Sequence, residues 1–189
     1  MRMVILLSVL LLSAAAASAD PIKRVAAGII PYSCSAQGAL YLLAYDPDIR
    51  RQAWGAFGGR PEGNETAKQT ALREFYEETN CVYDRETIER LRLKGPSRTG
   101  SFYSYVTEVP YRNVADIATQ RKCTNVERAF WVWVPHEAFI EMLKKKAANP
   151  AVEIHSRPAI KFPVWDGAAR SLRKAFADGF IKRRDPCRP

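Results

Sequence analysis

The stretch GRPEGNETAKQTALREFYEETNC, residues 59–81, combines glutamates and apolar residues at a spacing that decides the fold of this chain. It predicts a helix over about residues 65–79, because Asn64 is a good N-cap residue and a proline and a glycine just before it indicate a loop. The predicted helix carries an apolar stripe formed by Ala71, Leu72 and Phe75. The stretch is therefore expected to be a loop followed by an amphipathic helix that packs on a sheet.

Three glutamates lie on a second stripe of the same predicted helix. At 3.6 residues per turn, Glu74 and Glu78 are one turn apart, and Glu77 follows Glu74 by three residues. Carboxylates this close repel one another unless a cation neutralises them. Mg²⁺ suits such a cluster because it takes oxygen ligands and bridges to phosphates. The alternative is an ordinary solvated acidic face.

The complete spacing is more specific than the acidic run. Gly59 and Glu65 are separated by five residues, and seven residues later the run REFYEE begins at position 73. This pattern resembles the Nudix box, the signature of the Nudix hydrolase family. The family pattern continues with a glycine and an aliphatic residue where this chain has Asn80 and Cys81. Asparagine tolerates the left-handed backbone that ends a helix, and cysteine is small and apolar enough to be buried there.

The resemblance implies an α/β fold, a Nudix-type α/β/α sandwich with a mixed curved sheet, and a divalent cofactor, Mg²⁺ with Mn²⁺ as an alternative. It implies metal ligands within the box, which are Glu74, Glu77, Glu78 and the backbone carbonyl of Gly59. Glu65 and Arg73 would order the loop and the helix. Glu127, just before the strand-like run AFWVWV, is a candidate general base outside the box, and an exposed loop glutamate is its alternative interpretation.

The expected reaction is hydrolysis of a diphosphate linkage in a nucleoside diphosphate joined to another moiety. Pro96 lies near the position of a proline in the branch of the family that acts on ADP-ribose, which favours ADP-ribose or a nucleotide sugar. Dinucleoside polyphosphates, nucleoside triphosphates and RNA 5′ ends are the alternatives, as is a secreted nucleotide-binding module without turnover. Candidate substrate-binding residues are Arg60, Arg98 and Tyr103, since guanidinium groups grip phosphate oxygens and aromatic side chains border the loop of residues 94–101.

Residues 1–19 are interpreted as a cleaved secretory signal peptide. A positive start precedes an apolar run over residues 4–17 and a small-residue cleavage site at residues 17–19. The run is shorter than the about 20 residues that a membrane-spanning helix needs, and no later segment is apolar enough to span. The protein is therefore expected to be exported, to the periplasm or the exterior, with residues 20–189 as a single domain.

Lysine and arginine outnumber aspartate and glutamate by 29 to 20, which gives a formal net charge of +9 and favours anionic partners. The basic runs at residues 143–146 and 182–184 are interpreted as solvated faces, because no aromatic residues interleave with them. A small nucleotide is thus the expected partner rather than nucleic acid, and a homodimer is left open. The four cysteines at positions 34, 81, 123 and 187 allow two disulfides in three pairings.

The remaining periodicity fits a mixed sandwich over residues 22–148. Strands are predicted at residues 24–31, 39–45, 102–109 and 129–134. Helices are predicted at residues 84–93, 136–147 and 165–180.

Overall fold

The computed structural model describes residues 25–120, 123, 127–148, 150–154 and 160–188. Its strands are β1 (Ala26–Ser35), β2 (Gly38–Asp46), β3 (Ala53–Gly55), β4 (Phe57–Gly59), β5 (Lys94–Thr99), β6 (Phe102–Glu108), β7 (Phe130–Pro135), β8 (Ala151–Ile154) and β9 (Ile160–Pro163). Its helices are α1 (Ala67–Glu78), α2 (Arg85–Glu89), α3 (Val114–Thr119), α4 (His136–Lys144) and α5 (Asp166–Ala177). The predicted signal peptide of residues 1–19 lies outside the described residues.

A seven-stranded mixed sheet forms the middle layer. Its main path runs β3, β2, β1, β6, β5, while β4 pairs with β1 and β7 pairs with β2. The β1 and β6 strands are parallel, and the other pairs are antiparallel. A separate hairpin of β8 and β9 packs beside it. The predicted mixed sheet is confirmed.

Helices cover both faces of this sheet. Along β2, alternate side chains enter different cores: Tyr41 joins the core beneath α4 and α5, and Leu42 joins the core beneath α1. Phe75 of α1 meets Phe57 of β4 edge-on at 5.1 Å between ring centroids. On the other face, Phe139 of α4 stacks on Tyr41 at 4.1 Å. The chain is therefore an α/β/α sandwich, as expected from the sequence.

Helix α1 begins later than predicted. Thr66, not Asn64, is the N-cap residue, because its hydroxyl accepts from the Gln69 N–H while the Gln69 side chain accepts from the Thr66 N–H. The helix ends at Glu78, and Asn80 has the left-handed backbone that was expected, with φ of 52°. Cys81 is also left-handed, with φ of 55°, which the sequence did not indicate.

Several short elements escaped prediction. Strands β3 and β4 have three residues each, too few to show a period. Residues 94–101 were expected to form a loop near the substrate. Most of them instead form strand β5, which pairs with β6. No helix among the described residues has the length and apolarity needed to cross a membrane.

All four cysteines form disulfides. Cys34 of β1 pairs with Cys187 in the C-terminal tail, with 5.3 Å between their Cα atoms. Cys81, just after α1, pairs with Cys123 in the segment that precedes β7, with 5.6 Å between Cα atoms. One bridge therefore holds the C-terminal tail, and the other ties the end of α1 to the chain that leads into β7.

Candidate metal centre and adjoining cleft

Three carboxylates converge at the C-terminal end of α1. Glu74 and Glu78 come from the helix, and Glu127 comes from the segment before β7. One oxygen from each lies within 4.8 Å of the others. The sequence placed Glu127 outside the box as a candidate base, and the structure brings it to the two helix glutamates. Among the described residues this is the group of acidic side chains best placed to hold a hard cation.

Strand β4 forms the floor of this cluster. A Cβ at residue 59 would overlap Glu74 Oε1, so any larger residue there would displace the Glu74 carboxylate. The Gly58 N–H donates to Glu78 Oε2 at 2.8 Å. The predicted metal-binding role of the Gly59 carbonyl stays a prediction, but the structure places Gly59 against Glu74.

Arg73 is the centre of an ion-pair network on the outer side of α1. Its Nε donates to Glu65 at 2.8 Å, its Nη1 to Glu77 at 2.8 Å and its Nη2 to Glu74 at 3.0 Å. Nη2 also donates to the Arg60 carbonyl at 2.8 Å, which ties the loop to the helix. Burial alone would raise the pKa of Glu65, but hydrogen bonds from Arg73 and from the Glu62 N–H outweigh it and lower that pKa. Arg73 thus links Glu65 and the Arg60 carbonyl to α1, and the predicted structural role of the two residues stays a prediction.

Glu77 does not join the carboxylate group. Its side chain is 39% exposed and is bound to Arg73 Nη1. The side chain of Glu78, in contrast, is only 3% exposed. The structure therefore separates the adjacent glutamates that the sequence treated as equivalent ligands.

Arg128 is a buried cation that the sequence analysis missed. It donates to Glu78 Oε1 through Nε at 2.9 Å and Nη2 at 2.6 Å, and its Nη1 lies 3.0 Å from Asp46 Oδ2. The Trp131 indole N–H also donates to the Glu78 backbone carbonyl at 2.9 Å. These contacts fix Glu78 from the β7 side. An arginine next to Glu127 at the start of a strand was the only sequence signal for this role.

Burial controls protonation in the cluster. It raises the pKa of Glu78 to about 7, although Arg128 and the Gly58 N–H act in the opposite direction. Burial also raises the pKa of Glu74, helped by the charges of Glu127 and Glu77 and opposed by Arg73. Without a cation the two helix carboxylates therefore hold protons more tightly than ordinary glutamates, so a cation and protons would compete for them.

A cleft of about 330 Å³ opens beside the cluster and is bounded by β1, β3, β4, β6 and α5. Gly58, Gly59 and Arg128 belong both to its lining and to the surroundings of the carboxylates. Its charged lining residues are Arg51, Arg60, Arg128, Arg170 and Asp46, and its large aromatic ones are Trp54, Phe57, Phe102 and Trp165. Three of these arginines pair with carboxylates, Arg51 and Arg128 with Asp46 and Arg170 with Asp166, so Arg60 is the lining arginine best placed to receive an anion.

The candidate substrate residues have different locations. Arg60 lines the cleft. Arg98 does not line it, and its Nε donates to the Gly100 carbonyl at 2.9 Å. Tyr103 packs against the core beneath α1, because side chains alternate along β6 and it is the neighbouring Phe102 that reaches the cleft. The sequence did not single out Trp165, which α5 brings to this site.

Comparison with known proteins gives a consistent result. The family model of the NUDIX domain matches residues 22–156. An uncharacterised protein, L534 of Acanthamoeba polyphaga mimivirus, is 43% identical over 81 residues, which cover 40% of this chain and 25% of the viral protein. The chain thus matches only about a quarter of that relative's length.

Solved structures share the fold at low sequence identity. A MutT/nudix family protein from Enterococcus faecalis superposes with a TM-score of 0.53 at 16% identity, covering 87% of this chain and 65% of that one. The NUDIX domain of Shewanella oneidensis NrtR, solved with ADP-ribose, gives 0.50 at 14% identity, covering 81% and 86%. At these identities the likeness establishes the architecture.

Proposed function

The chain belongs to the Nudix family of hydrolases, which act on phosphorus-containing anhydrides, and we propose that it is a metal-dependent pyrophosphohydrolase. The proposed substrate is a nucleoside diphosphate joined through its diphosphate to a second moiety, with ADP-ribose or a nucleotide sugar favoured. The observation that carries the proposal is the meeting of Glu74, Glu78 and Glu127 beside a cleft lined by arginines. Such a site combines ligands for a cation with a surface for phosphates.

The residues present fit a hard divalent cation. Carboxylate oxygens are the ligands that Mg²⁺ prefers, and their grouping within 4.8 Å suits one shared ion. Mg²⁺, or Mn²⁺ in its place, would be held by Glu74 and Glu78, with Glu77 and the Gly59 carbonyl as further candidates, and Glu127 would lie beside the ion as the candidate base. When bound, it would polarise the diphosphate and activate a water.

The protein's own residues position this chemistry. Arg128 and the Gly58 N–H hold the two oxygens of Glu78, and Arg73 holds Glu74. Glu127 is exposed, so it is the carboxylate of the group that solvent reaches most easily, which suits a base that takes a proton from the attacking water. Arg60 lines the cleft beside Gly59 and is the candidate for a phosphate contact.

The choice of substrate class rests on the cleft. Its volume of about 330 Å³ falls within the range of small-molecule sites, and its lining is cationic and aromatic. A domain of the same fold, that of Shewanella oneidensis NrtR, was solved with ADP-ribose. This supports ADP-ribose as the first compound to test.

Turnover of a substrate panel tests the proposal. The purified, disulfide-bonded protein is incubated with Mg²⁺ or Mn²⁺ and with ADP-ribose, nucleotide sugars, dinucleoside polyphosphates, nucleoside triphosphates or 5′-triphosphate RNA, and products are separated by chromatography. We expect metal-dependent release of a nucleoside monophosphate from ADP-ribose or a nucleotide sugar. Preference for another class would replace the favoured substrate. A folded protein that hydrolyses nothing, yet binds nucleotides, would instead be a binding module.

We also propose that the protein is exported and that residues 20–189 form one domain after removal of residues 1–19. Pairing of all four cysteines supports this, because disulfides persist in oxidising compartments. N-terminal sequencing after expression of the full chain in a secreting host tests it. A mature protein that begins at Asp20 is expected, and retention in the cytoplasm with residues 1–19 attached would contradict it.

A further inference from the structure

The wall of the cleft opposite β4 is built by a segment outside the family match. The match ends at residue 156, whereas α5 begins at Asp166. The segment is firmly attached: the Trp165 N–H donates to the Trp54 carbonyl at 3.0 Å, and Leu172 is fully buried. The disulfide of Cys187 holds its far end to β1. Side chains on such an attached segment can bind a ligand with a defined geometry.

Trp165, at the start of this segment, forms a cation–π pair with Arg51, which lies between β2 and β3. The Arg51 guanidinium carbon is 5.0 Å from the centroid of the Trp165 ring. Arg51 Nη1 also lies 2.5 Å from Asp46 Oδ2, the carboxylate that pairs with Arg128. Residue 167 must be glycine for the ring to lie as it does, since a Cβ there would overlap the indole. Contacts from several elements therefore hold this pair at the mouth of the cleft.

Trp165 is nevertheless 42% exposed, whereas Trp131 is 7% exposed in the core. A large aromatic side chain that lines a cationic cleft, yet keeps this much of its surface in water, has apolar area left for a ligand. Nucleobases stack on aromatic rings and on guanidinium planes alike. The Arg51 and Trp165 pair offers both kinds of surface.

We infer that the Arg51 and Trp165 pair is the nucleobase-binding surface of this protein, so that α5 supplies recognition of the nucleoside while β4 and α1 supply the chemistry. The inference rests on the proposed function and names the feature of the substrate that the site selects. The diphosphate lies between Arg60 and the carboxylates, and the base lies at α5. A phosphorylated compound without a base would keep the contacts of its phosphate with Arg60 and the carboxylate site, and it would lose the stacking contact with Arg51 and Trp165.

Binding of two related products tests this. AMP and ribose 5-phosphate share a sugar and a phosphate, but only AMP has a base. We expect the wild-type protein to bind AMP more tightly, and Trp165→Ala to weaken AMP binding about 5- to 150-fold while leaving ribose 5-phosphate unchanged. Calorimetry with Mg²⁺ present measures both affinities. AMP should also quench tryptophan fluorescence, and Trp165→Ala should abolish that quenching.

Three variants keep the test decisive. Trp165→Phe keeps an aromatic ring and should keep most of the AMP preference, which guards against misfolding of the alanine variant. Arg51→Lys keeps a charge for Asp46 but loses the plane, so it should weaken AMP binding alone. Phe130→Ala is the matched control, because Phe130 is 63% exposed and lies outside the cleft lining; it should change nothing.

The remaining outcomes distinguish a failure of this inference from a failure of the proposed function. Unchanged AMP binding in Trp165→Ala, equal loss of both ligands, or no binding of either ligand by the wild-type protein would overturn the inference. If the wild-type protein also hydrolyses a substrate from the panel, the proposed function survives that result. Conversely, AMP binding that depends on Trp165 in a protein without turnover would support the inference and overturn the proposed function.

Discussion

The carboxylate cluster at α1 and the wall of the cleft at α5 both adjoin the cavity beside β4, but their side chains are held differently. Glu78 is 3% exposed and receives hydrogen bonds from Arg128 and the Gly58 N–H. Trp165 at α5 is 42% exposed, and its ring contacts Arg51 and the first turn of its own helix. On one side of the site Glu78 is buried and hydrogen-bonded through both carboxylate oxygens, and on the other Trp165 is half open to water.

This difference assigns different tasks to the two sides. Buried charges keep their geometry because a change of partner leaves a charge unpaired, so they suit a fixed metal geometry. Half-exposed side chains can be exchanged at little cost in stability, so they suit the choice of substrate. Substitutions at the buried side should therefore alter stability or rate strongly, and those at α5 should mainly alter affinity.

The largest effect is expected from Arg128→Met. The change leaves Asp46 and Glu78 buried without their shared cation, so the free energy of unfolding should fall by about 3–5 kcal/mol. The matched control is Arg170→Met at α5, which breaks an exposed pair with Asp166 and should cost less than about 1 kcal/mol. Urea unfolding without metal at pH 8 measures both. Similar losses of unfolding free energy in the two variants would show that the carboxylate side and the α5 side do not differ in their contribution to stability.

Glu78→Gln should lower kcat at least about 100-fold with the fold intact, because even an outer partner of a metal ligand is worth 10- to 100-fold. Glu77→Gln is its control, with the same chemical change one residue away on α1. Glu77 is 39% exposed and bound to Arg73, so its loss should be smaller. Steady-state kinetics with saturating Mg²⁺ compares them. Equal losses would mean that Glu77 exchanges Arg73 for the metal.

Metal affinity should depend on pH through Glu78. Burial raises its pKa to about 7, so below that pH a proton must leave before a cation binds, and apparent Mg²⁺ affinity should rise by up to about tenfold per pH unit between about pH 5 and 7. Without metal, the stability that this carboxyl contributes is present below its ordinary pKa of 4.5 and is lost as the pH rises through about 7. Calorimetric titration of wild type and Glu78→Gln checks this. A profile of the same slope in both would exclude Glu78 as the group responsible.

The smallest effect is expected from Asn80→Gly. Glycine adopts a left-handed backbone without strain, so the backbone alone favours a tolerated or mildly stabilising change. The structure adds that Asn80 Nδ2 donates to the Ile117 carbonyl at 2.9 Å in a buried setting. Loss of this bond opposes the gain from relaxed backbone, so a net loss of less than about 1 kcal/mol is expected. Thermal unfolding measures it, and a clear rise in Tm would show that backbone strain dominates.

The fold and the α1 side could be predicted because their signals are local. The spacing of residues 59–78 fixes which carboxylates share a face of α1, and the left-handed Asn80 follows from the helix end. Helix periodicity could not separate Glu77 from Glu78, since the choice depends on Arg128, which arrives from 50 residues further along the chain.

The α5 side could not be predicted, because it too depends on contacts between segments that are distant in sequence. Trp165 and Arg51 are distant in sequence, and they meet because Val164 forms a bridge with Trp54 and Ala168 of α5 lies against Gly55 of β3. Tyr103 was chosen over Phe102 because the sequence does not reveal which face of β6 is turned to the cleft. Contacts between distant segments leave no periodic trace in either segment.

The disulfide between Cys34 and Cys187 spans 153 positions of the chain, so nearly the whole domain is a closed covalent ring. A protease that cuts one peptide bond inside this ring opens it without releasing a fragment, and the nicked molecule keeps its mass apart from one added water. Two cuts, or one cut and a reductant, are needed before any piece can leave. Outside a cell, where proteases are common and reductants are scarce, such a ring would hold the protein together after a single cut.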